Sequence, residues 1–192
     1  MARIGILGGT FDPPHNGHIV LAEAALRELD LDRIIFVPAL IQPHKISRIT
    51  ASPDDRMKML RLALGERDRL EISDIELQRS GQSYTVDTLE NLKEMYPLDQ
   101  FFLIIGADNV SDIGTWHDPE RIFDLATVAA ANRPGFKPRG RFAGAVELFQ
   151  ISPTDISSTE IRKRIKSGKS ISGMVSGDVE KYILKHKLYL RK

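Results

Sequence analysis

Gly8-Gly9-Thr10-Phe11-Asp12-Pro13-Pro14-His15-Asn16-Gly17-His18 is the stretch that decides the fold of this chain. It follows a short apolar run, Ile4-Gly5-Ile6-Leu7, of the kind that forms a buried strand. After it, apolar residues recur at helical spacing, at Ile19, Ala22, Leu26 and Leu29. The stretch is therefore predicted to be the turn between a buried strand and the next helix, where α/β folds bind phosphate groups.

The residue types within the stretch suit a polyphosphate ligand. Gly8 and Gly9 let the main chain approach a ligand closely, and Thr10 adds a hydroxyl group. A helical turn that begins here would put His15 and His18, which are three residues apart, on one side. The open N–H groups of that first turn attract anions as well.

The same stretch resembles the His-x-Gly-His signature of the nucleotidyltransferases, written here His15-Asn16-Gly17-His18. The longer form, Gly-Gly-Thr-Phe-Asp-Pro-x-His-x-Gly-His, resembles the bacterial nicotinate-nucleotide adenylyltransferases in particular. The alternative is a tight glycine turn with two histidines on the surface. We favour the resemblance, because a match of this length is far more specific than a single glycine-rich motif.

The composition is that of an ordinary globular protein. Its 192 residues are enough for one domain with a substantial core, and 42% of them are hydrophobic. There are no cysteines, which excludes a disulfide framework, a thiolate metal site and a cysteine nucleophile. No apolar run is long enough to span a membrane, and Met1-Ala2-Arg3 leads directly into a strand-like run. We therefore expect no membrane partner and a cytoplasmic location.

The net charge of +1 is unevenly distributed, with an excess of basic side chains in residues 160–192. This basic end either helps to hold a polyanionic ligand or presents solvated helix faces, and for most of its lysines we favour the second reading. Aromatic residues are not interleaved with basic ones along the chain, so we expect no nucleic-acid partner. The sequence does not decide between a monomer and a homo-oligomer.

Strand-like and helix-like segments alternate along the chain. Strands are predicted at residues 4–7, 33–37, 70–72, 101–105, 127–131 and 146–151. Helices are predicted to begin at Ser52-Pro53, near Tyr84, at Asp118-Pro119, at Ser157 with Glu160, and near Gly177.

The fold class follows from this alternation. Residues 101–105, Phe-Phe-Leu-Ile-Ile, are apolar on both faces, which is typical of a central strand in a parallel sheet. We predict an α/β fold of the Rossmann-like, nucleotidyltransferase type, with helices on both faces of a parallel sheet. Residues 1–192 are expected to form a single domain, with a C-terminal helical part from about residue 155 packed on it.

Four more polar clusters follow predicted strands or open a predicted helix. They are Pro43-His44-Lys45, Gly106-Ala107-Asp108, Asn132-Arg133-Pro134 and residues 156–162. Because the carboxyl ends of parallel strands meet at one edge of the sheet, these distant segments can share one cleft.

Each cluster matches a segment of the same family, and the resemblance implies roles for single residues. It implies that the catalytic residues facing the ATP phosphates are His15, His18, Lys45 and Arg162. Further ATP contacts are implied for Gly8, Gly9, Thr10, Phe11, Gly106, Asp108, Arg133, Ser157 and Ser158. Among these, Asp108 is expected at the ribose and Arg133 beside the adenine. The implied contacts to nicotinate mononucleotide are His44, Lys45, Ser83, Tyr84, Thr85, Trp116 and His117.

Several of these residues have a plain structural alternative. Trp116 can be a core anchor rather than part of a pocket, although its polar neighbours favour the pocket. His44 and Lys45 can be solvated loop residues. Ser157 serves equally well as a helix cap and as a phosphate contact. Arg56 matches an arginine of the family, and its role stays open, with an ion pair within its helix as the alternative.

The resemblance also implies the reaction. The phosphate of nicotinate mononucleotide would attack the α-phosphorus of ATP, giving deamido-NAD and pyrophosphate, with no protein nucleophile. Mg²⁺ would be held mainly by the ATP phosphates, so no protein metal site is expected. The alternatives are a pantetheine-phosphate adenylyltransferase or related nucleotidyltransferase and, in another class, a non-catalytic nucleotide-binding sensor.

Overall fold

A computed structural model describes residues 1–40, 50–79, 81–132, 139–152 and 154–190. Six described strands form one parallel sheet: β1 (Arg3–Gly9), β2 (Arg33–Pro38), β3 (Leu70–Ile72), β4 (Gln100–Gly106), β5 (Thr127–Asn132) and β6 (Glu147–Gln150). The α-helices among the described residues are α1 (Asn16–Glu28), α2 (Pro53–Leu64), α3 (Thr85–Met95), α4 (Pro119–Leu125), α5 (Ser158–Lys166) and α6 (Gly177–Lys185). The predicted elements agree with these bounds to within a few residues.

The strand order is β3-β2-β1-β4-β5-β6, so the direction of winding reverses between β1 and β4. Strand β4 lies inside the sheet, between β1 and β5, and its residues 101–105 are all buried. This confirms the central position predicted from its apolar pattern. In open parallel sheets, ligands bind in the crevice beyond the carboxyl ends of the strands at such a reversal.

Helices cover both faces of the sheet, as predicted. One face packs against α1 and the nearer side of α2, with Phe36 and Ile104 among its buried residues. The opposite face packs against α3 and α4, with Leu89 and Ile122 fully buried. Because alternate residues of the inner strands β1, β2, β4 and β5 enter alternate cores, these four strands are apolar on both faces.

Local signals explain where the helices begin. The Ser52 side chain accepts a hydrogen bond from the Asp55 N–H at 3.1 Å, and Pro53 is the first residue of α2. Asp118 caps α4 in the same manner, followed by Pro119. A proline at this position needs no N–H partner and has its φ already set for the helix, as predicted.

The C-terminal helices α5 and α6 pack on α2 rather than on the sheet. They share a third core cluster with it, whose buried members include Met59, Ile161, Val179 and Tyr189. This arrangement brings the C-terminal segment next to the loop between β1 and α1. In the described parts of the chain, no helix has the length and apolar character needed to cross a membrane.

Candidate active site

The predicted turn between β1 and α1 is confirmed. Strand β1 ends at Gly9 and helix α1 begins at Asn16, with His15 as its N-cap. A Cβ atom on Gly8 would meet nothing within 4 Å, so this glycine leaves the main chain open to a ligand. A Cβ atom on Gly9 would lie 2.9 Å from the Phe11 ring, so Gly9 is required by packing.

The two histidines of the motif lie together at the start of α1. Their rings stack with centroids 3.7 Å apart and an interplanar angle of 22°. The His15 N–H donates to Nδ1 of His18 at 3.1 Å, so a neutral His18 carries its proton on Nε2. The Phe11 ring holds His18 edge-on at 5.0 Å. The His18 ring is therefore held between the rings of His15 and Phe11.

His15 is the buried member of the pair. Desolvation by burial lowers its pKa from 6.5 to about 4, so the ring is neutral at pH 7. Its Nδ1 is buried with no hydrogen-bond partner among the described residues. A Cβ atom on Gly17 would lie 3.0 Å from this nitrogen, which explains a glycine at that position.

Phe11 and Asp12 point into the protein, away from solvent. The Phe11 side chain is 2% exposed, so any contact of this residue with ATP would come from its main chain. The Asp12 carboxylate accepts hydrogen bonds from the Thr50 N–H at 2.9 Å and the Ala51 N–H at 3.1 Å. It also accepts one from the Tyr189 hydroxyl at 2.8 Å. Asp12 therefore anchors the loop.

Arg56 is a second anchor, and the alternative of an ion pair within its helix is wrong. Its side chain is fully buried, and Nη1 donates to the carbonyl oxygens of Thr10 at 2.8 Å and Ala39 at 2.7 Å. Burial lowers the pKa of Arg56, while the nearby Asp12 carboxylate opposes that shift. The guanidinium joins the loop after β1 to the chain leaving β2.

The first turn of α5 docks on the same loop. Ser158 Oγ donates to the Pro13 carbonyl at 2.8 Å, and Arg162 Nη1 donates to the Asp12 carbonyl at 2.6 Å. Ser157 caps the helix by accepting the Glu160 N–H at 3.2 Å. The serine half of the predicted capping box therefore forms, while the Glu160 carboxylate accepts a hydrogen bond from Arg164.

The two segments expected at the nicotinate ring also come together. The rings of Tyr84 and His117 lie 4.4 Å apart, tilted by 33°. Ser83 Oγ accepts the Leu40 N–H at 3.0 Å, which ties this segment to the end of β2. Trp116 is half-buried and packs against the core under α3 and α4, so it is anchored in the core on one side.

The end of β4 contributes the last described part of the site. Gly106 opens a 3₁₀ turn, Ala107–Asn109, and Asp108 is exposed on it. The carboxyl end of β4 adjoins that of β1 at the winding reversal, where Gly8 and Gly9 lie. Three predicted site residues lie outside the described residues, namely His44, Lys45 and Arg133.

The donor set fits a divalent cation held by nucleotide phosphates. The described residues contain no group of three or more His, Asp or Glu side chains arranged to hold a metal ion. Asp12, the only acidic residue of the loop between β1 and α1, already accepts hydrogen bonds on both carboxylate oxygens. Hard cations such as Mg²⁺ keep several waters and take ligands from substrate phosphates.

Sequence reasoning missed Asp12 and Tyr189 as parts of the site and left the role of Arg56 open. Asp12 is part of the motif, but its side chain points inward and accepts hydrogen bonds that hold the loop in place. Tyr189 is one of two tyrosines in the basic end at residues 160–192, which is no signal of a role, and Arg56 gave no more than its match to the family.

The fold is that of a nucleotidyltransferase. The sequence model of the cytidylyltransferase-like family matches residues 6–164 of the chain, which is most of its length. Over 97% of its length, the chain is 43% identical to the probable nicotinate-nucleotide adenylyltransferase of Desulfitobacterium hafniense (strain Y51), of which the match covers 95%. It is 44% identical to the corresponding protein of Thermus thermophilus, with 97% of this chain and 99% of that protein covered. The chain therefore belongs to the nicotinate-nucleotide adenylyltransferase family, as the motif predicted.

A solved structure supports the same fold. The Plasmodium falciparum nicotinic acid mononucleotide adenylyltransferase, solved in complex with NaAD, has a TM-score of 0.84 to this chain over 98% of both chains. Because the two sequences are only 22% identical, this likeness bears on the fold, and it confirms the predicted class.

Proposed function

We propose that this enzyme joins ATP and nicotinate mononucleotide to give deamido-NAD and pyrophosphate. The observation that carries the proposal is the arrangement of two sets of groups at the carboxyl edge of one sheet. The stacked His15 and His18 lie at the start of α1, after β1. The paired rings of Tyr84 and His117 lie at the start of α3 and between β4 and α4, and Ser83 joins the first of these segments to the end of β2. The first set suits phosphates and the second suits a flat aromatic ring.

The reaction forms one P–O bond and breaks another. A phosphate oxygen of the mononucleotide attacks the α-phosphorus, and the bond from that phosphorus to the bridging oxygen breaks, so pyrophosphate leaves with the electron pair. The attacking phosphate is already an anion at neutral pH, so no side chain has to become a nucleophile. What the protein must supply is alignment and stabilisation of the negative charge on the α-phosphate and the leaving group.

His18 and the start of α1 supply part of that stabilisation. The Nε2–H of His18 donates to a phosphate oxygen, and the N–H groups of the first helical turn add a positive dipole. Arg162 and Lys45 are assigned to the phosphates by the family resemblance. Mg²⁺, held mainly by the ATP phosphates, would neutralise further charge on the leaving pyrophosphate.

Helix α3 offers donors for the nicotinate carboxylate. Its first residue is Thr85, and its N-cap Tyr84 forms no side-chain hydrogen bond to the first turn in the described part of the chain. N–H groups near Thr85 and His117 favour a carboxylate, which only accepts hydrogen bonds. A carboxamide would turn its NH₂ toward one of these donors, at a loss of roughly 1–3 kcal/mol.

Activity with the acid and the amide mononucleotide tests this assignment. We expect kcat/KM with ATP to be about 5-fold to 100-fold higher for the acid. Trp116→Ala should weaken the binding of both mononucleotides similarly, and Trp116→Phe should weaken it less. Stacking on the pyridine ring does not distinguish the carboxylate from the carboxamide. An enzyme that uses both mononucleotides equally would overturn the substrate assignment while leaving adenylyl transfer in place.

We further propose that residues 1–192 act as one domain. The core that α5 and α6 share with α2 supports this organisation. The cytoplasmic location stays a prediction from the sequence.

A further inference from the structure

Tyr189 lies beyond the last helix and is folded back into the protein. After α6, the Leu188 N–H donates to the Ile183 carbonyl at 3.0 Å and the Lys187 N–H donates to the Leu184 carbonyl at 3.2 Å. These two bonds form a Schellman turn, in which Lys187 has a φ of 51°. Tyr189 follows with a φ of 64° and is 7% exposed. The turn thus directs the Tyr189 ring into the core beside α2.

The Tyr189 hydroxyl reaches the phosphate-binding loop from the other end of the chain. It donates to Asp12 Oδ1 at 2.8 Å, and both residues are buried. The same oxygen accepts the Ala51 N–H, while Oδ2 accepts the N–H and the hydroxyl of Thr50. One carboxylate therefore joins three segments: the loop after β1, the chain entering α2, and the C-terminal tail.

The Asp12 residue that binds the Tyr189 hydroxyl also lies beside Arg162. Arg162 Nη1 lies 3.9 Å from Asp12 Oδ2 and donates to the Asp12 carbonyl at 2.6 Å. Without the Tyr189 hydroxyl, Oδ1 would keep one donor, and the carboxylate would be drawn toward the guanidinium. Asp12 and Arg162 would both shift, and Asp12 lies only three residues before His15.

We propose that Tyr189 is a positioning residue for adenylyl transfer. Through Asp12, its hydroxyl fixes the loop that carries His15 and His18, and it keeps Arg162 at its place on that loop. This inference rests on the proposed function. It adds a role for the C-terminal tail, which none of the predicted contacts with substrate includes.

Tyr182 offers a matched control within the same part of the chain. Its hydroxyl donates to Asp55 Oδ1 at 2.9 Å, so it is also a tyrosine bonded to an aspartate. Its ring stacks on His186 at the end of α6, and its hydrogen bond goes to α2 rather than to the loop after β1. Removing either hydroxyl deletes one tyrosine–aspartate hydrogen bond, buried for Tyr189 and partly buried for Tyr182, but only Tyr189 is bonded to Asp12.

The experiment compares Tyr189→Phe with Tyr182→Phe in the full chain. At a temperature well below both melting points, we expect Tyr189→Phe to lower kcat about tenfold, because small misplacements of catalytic groups slow a reaction strongly. The KM for ATP should rise as well, while Tyr182→Phe leaves both constants within about twofold of wild type. Equal effects of the two substitutions, or an unchanged kcat in Tyr189→Phe, would overturn the inference.

A double-mutant cycle tests the route through Asp12. In an Asp12→Asn background, Tyr189→Phe should change kcat by much less than tenfold, since residues in one network are not additive. If Tyr189→Phe lowers kcat by the same factor in the Asp12→Asn background as in wild type, the route through Asp12 is contradicted. A wild type that makes no deamido-NAD would overturn the proposed function itself, whereas an active wild type with an unimpaired Tyr189→Phe variant overturns only the positioning role.

Discussion

The imidazole rings of His15 and His18 are stacked 3.7 Å apart, and the main chain of the first binds the side chain of the second. The two histidines have different roles. His15 is buried and neutral, and its N–H fixes the orientation of His18. His18 is the less buried ring, and its Nε2–H is the donor that we assign to a phosphate.

The first prediction concerns His18. His18→Ala should lower kcat by on the order of 10²–10³-fold, because it removes a donor that acts on charge developing in the transition state. The free energy of unfolding should also fall by about 1–3 kcal/mol, because the His15 N–H loses its acceptor, so kcat is compared well below both melting temperatures. His186→Ala is the matched control, since this histidine stacks on Tyr182 at the end of α6. A folded His18→Ala variant with nearly wild-type kcat would remove His18 from the mechanism.

The second prediction concerns pH and His15. The pKa of His15 in the folded protein is about 4, below the ordinary 6.5. Between these two pH values, His15 is protonated in the unfolded chain and neutral in the folded protein. Stability is therefore lost as the pH falls from about 6.5 toward 4. Between pH 7.5 and pH 5 this loss amounts to roughly 2 kcal/mol.

Urea unfolding of wild type and His15→Gln at pH 7.5 and pH 5 measures this loss. The variant should lose about 2 kcal/mol less than wild type between the two pH values, because glutamine does not titrate. The prediction fails if both proteins lose the same free energy of unfolding over that range.

The third prediction separates Arg162 from its neighbour Lys163. Arg162→Ala should raise the KM for ATP and lower kcat, because its side chain is largely buried against Asp12 and offers a forked donor for phosphate. Lys163 is exposed, and Lys163→Ala should do little. Steady-state kinetics at two ionic strengths checks both variants. Equal losses would mean that the basic cluster acts only as a diffuse charge.

The fourth prediction concerns the buried guanidinium of Arg56. Arg56→Met should lower the free energy of unfolding by about 3 kcal/mol, because the carbonyls of Thr10 and Ala39 lose their shared donor. Arg61→Met on the exposed side of the same helix is the control, and it should change stability by less than about 0.5 kcal/mol. Chemical denaturation measures both. Similar values for the two variants would show that Arg56 does not hold the loop.

Much of the fold could be predicted from local signals. Ser52-Pro53 marks a helix start because the cap and the proline act within one turn, and the structure shows both. Residues 101–105 identified a central strand because burial on both faces demands an unbroken apolar run. The motif between Gly8 and His18 predicted a turn between a strand and a helix, and this turn lies between β1 and α1.

The anchors of the site could not be predicted in this way. Tyr189 and Asp12 are 177 residues apart, and no periodicity links a hydroxyl to a carboxylate over that distance. The Arg56 guanidinium could have paired with a neighbour on its helix, but tertiary packing placed it against two main-chain carbonyls. Buried polar contacts of this kind depend on which side chains the complete fold brings together.

Adenylyl transfer is tested most directly by following the phosphorus atoms of ATP. Wild-type enzyme is incubated with Mg²⁺, nicotinate mononucleotide and ATP labelled at either the α- or the γ-phosphorus, and the products are separated. We expect the α-label in deamido-NAD and the γ-label in pyrophosphate. Transfer of the γ-label to the mononucleotide, or recovery of both labelled ATPs unchanged, would contradict adenylyl transfer at this site.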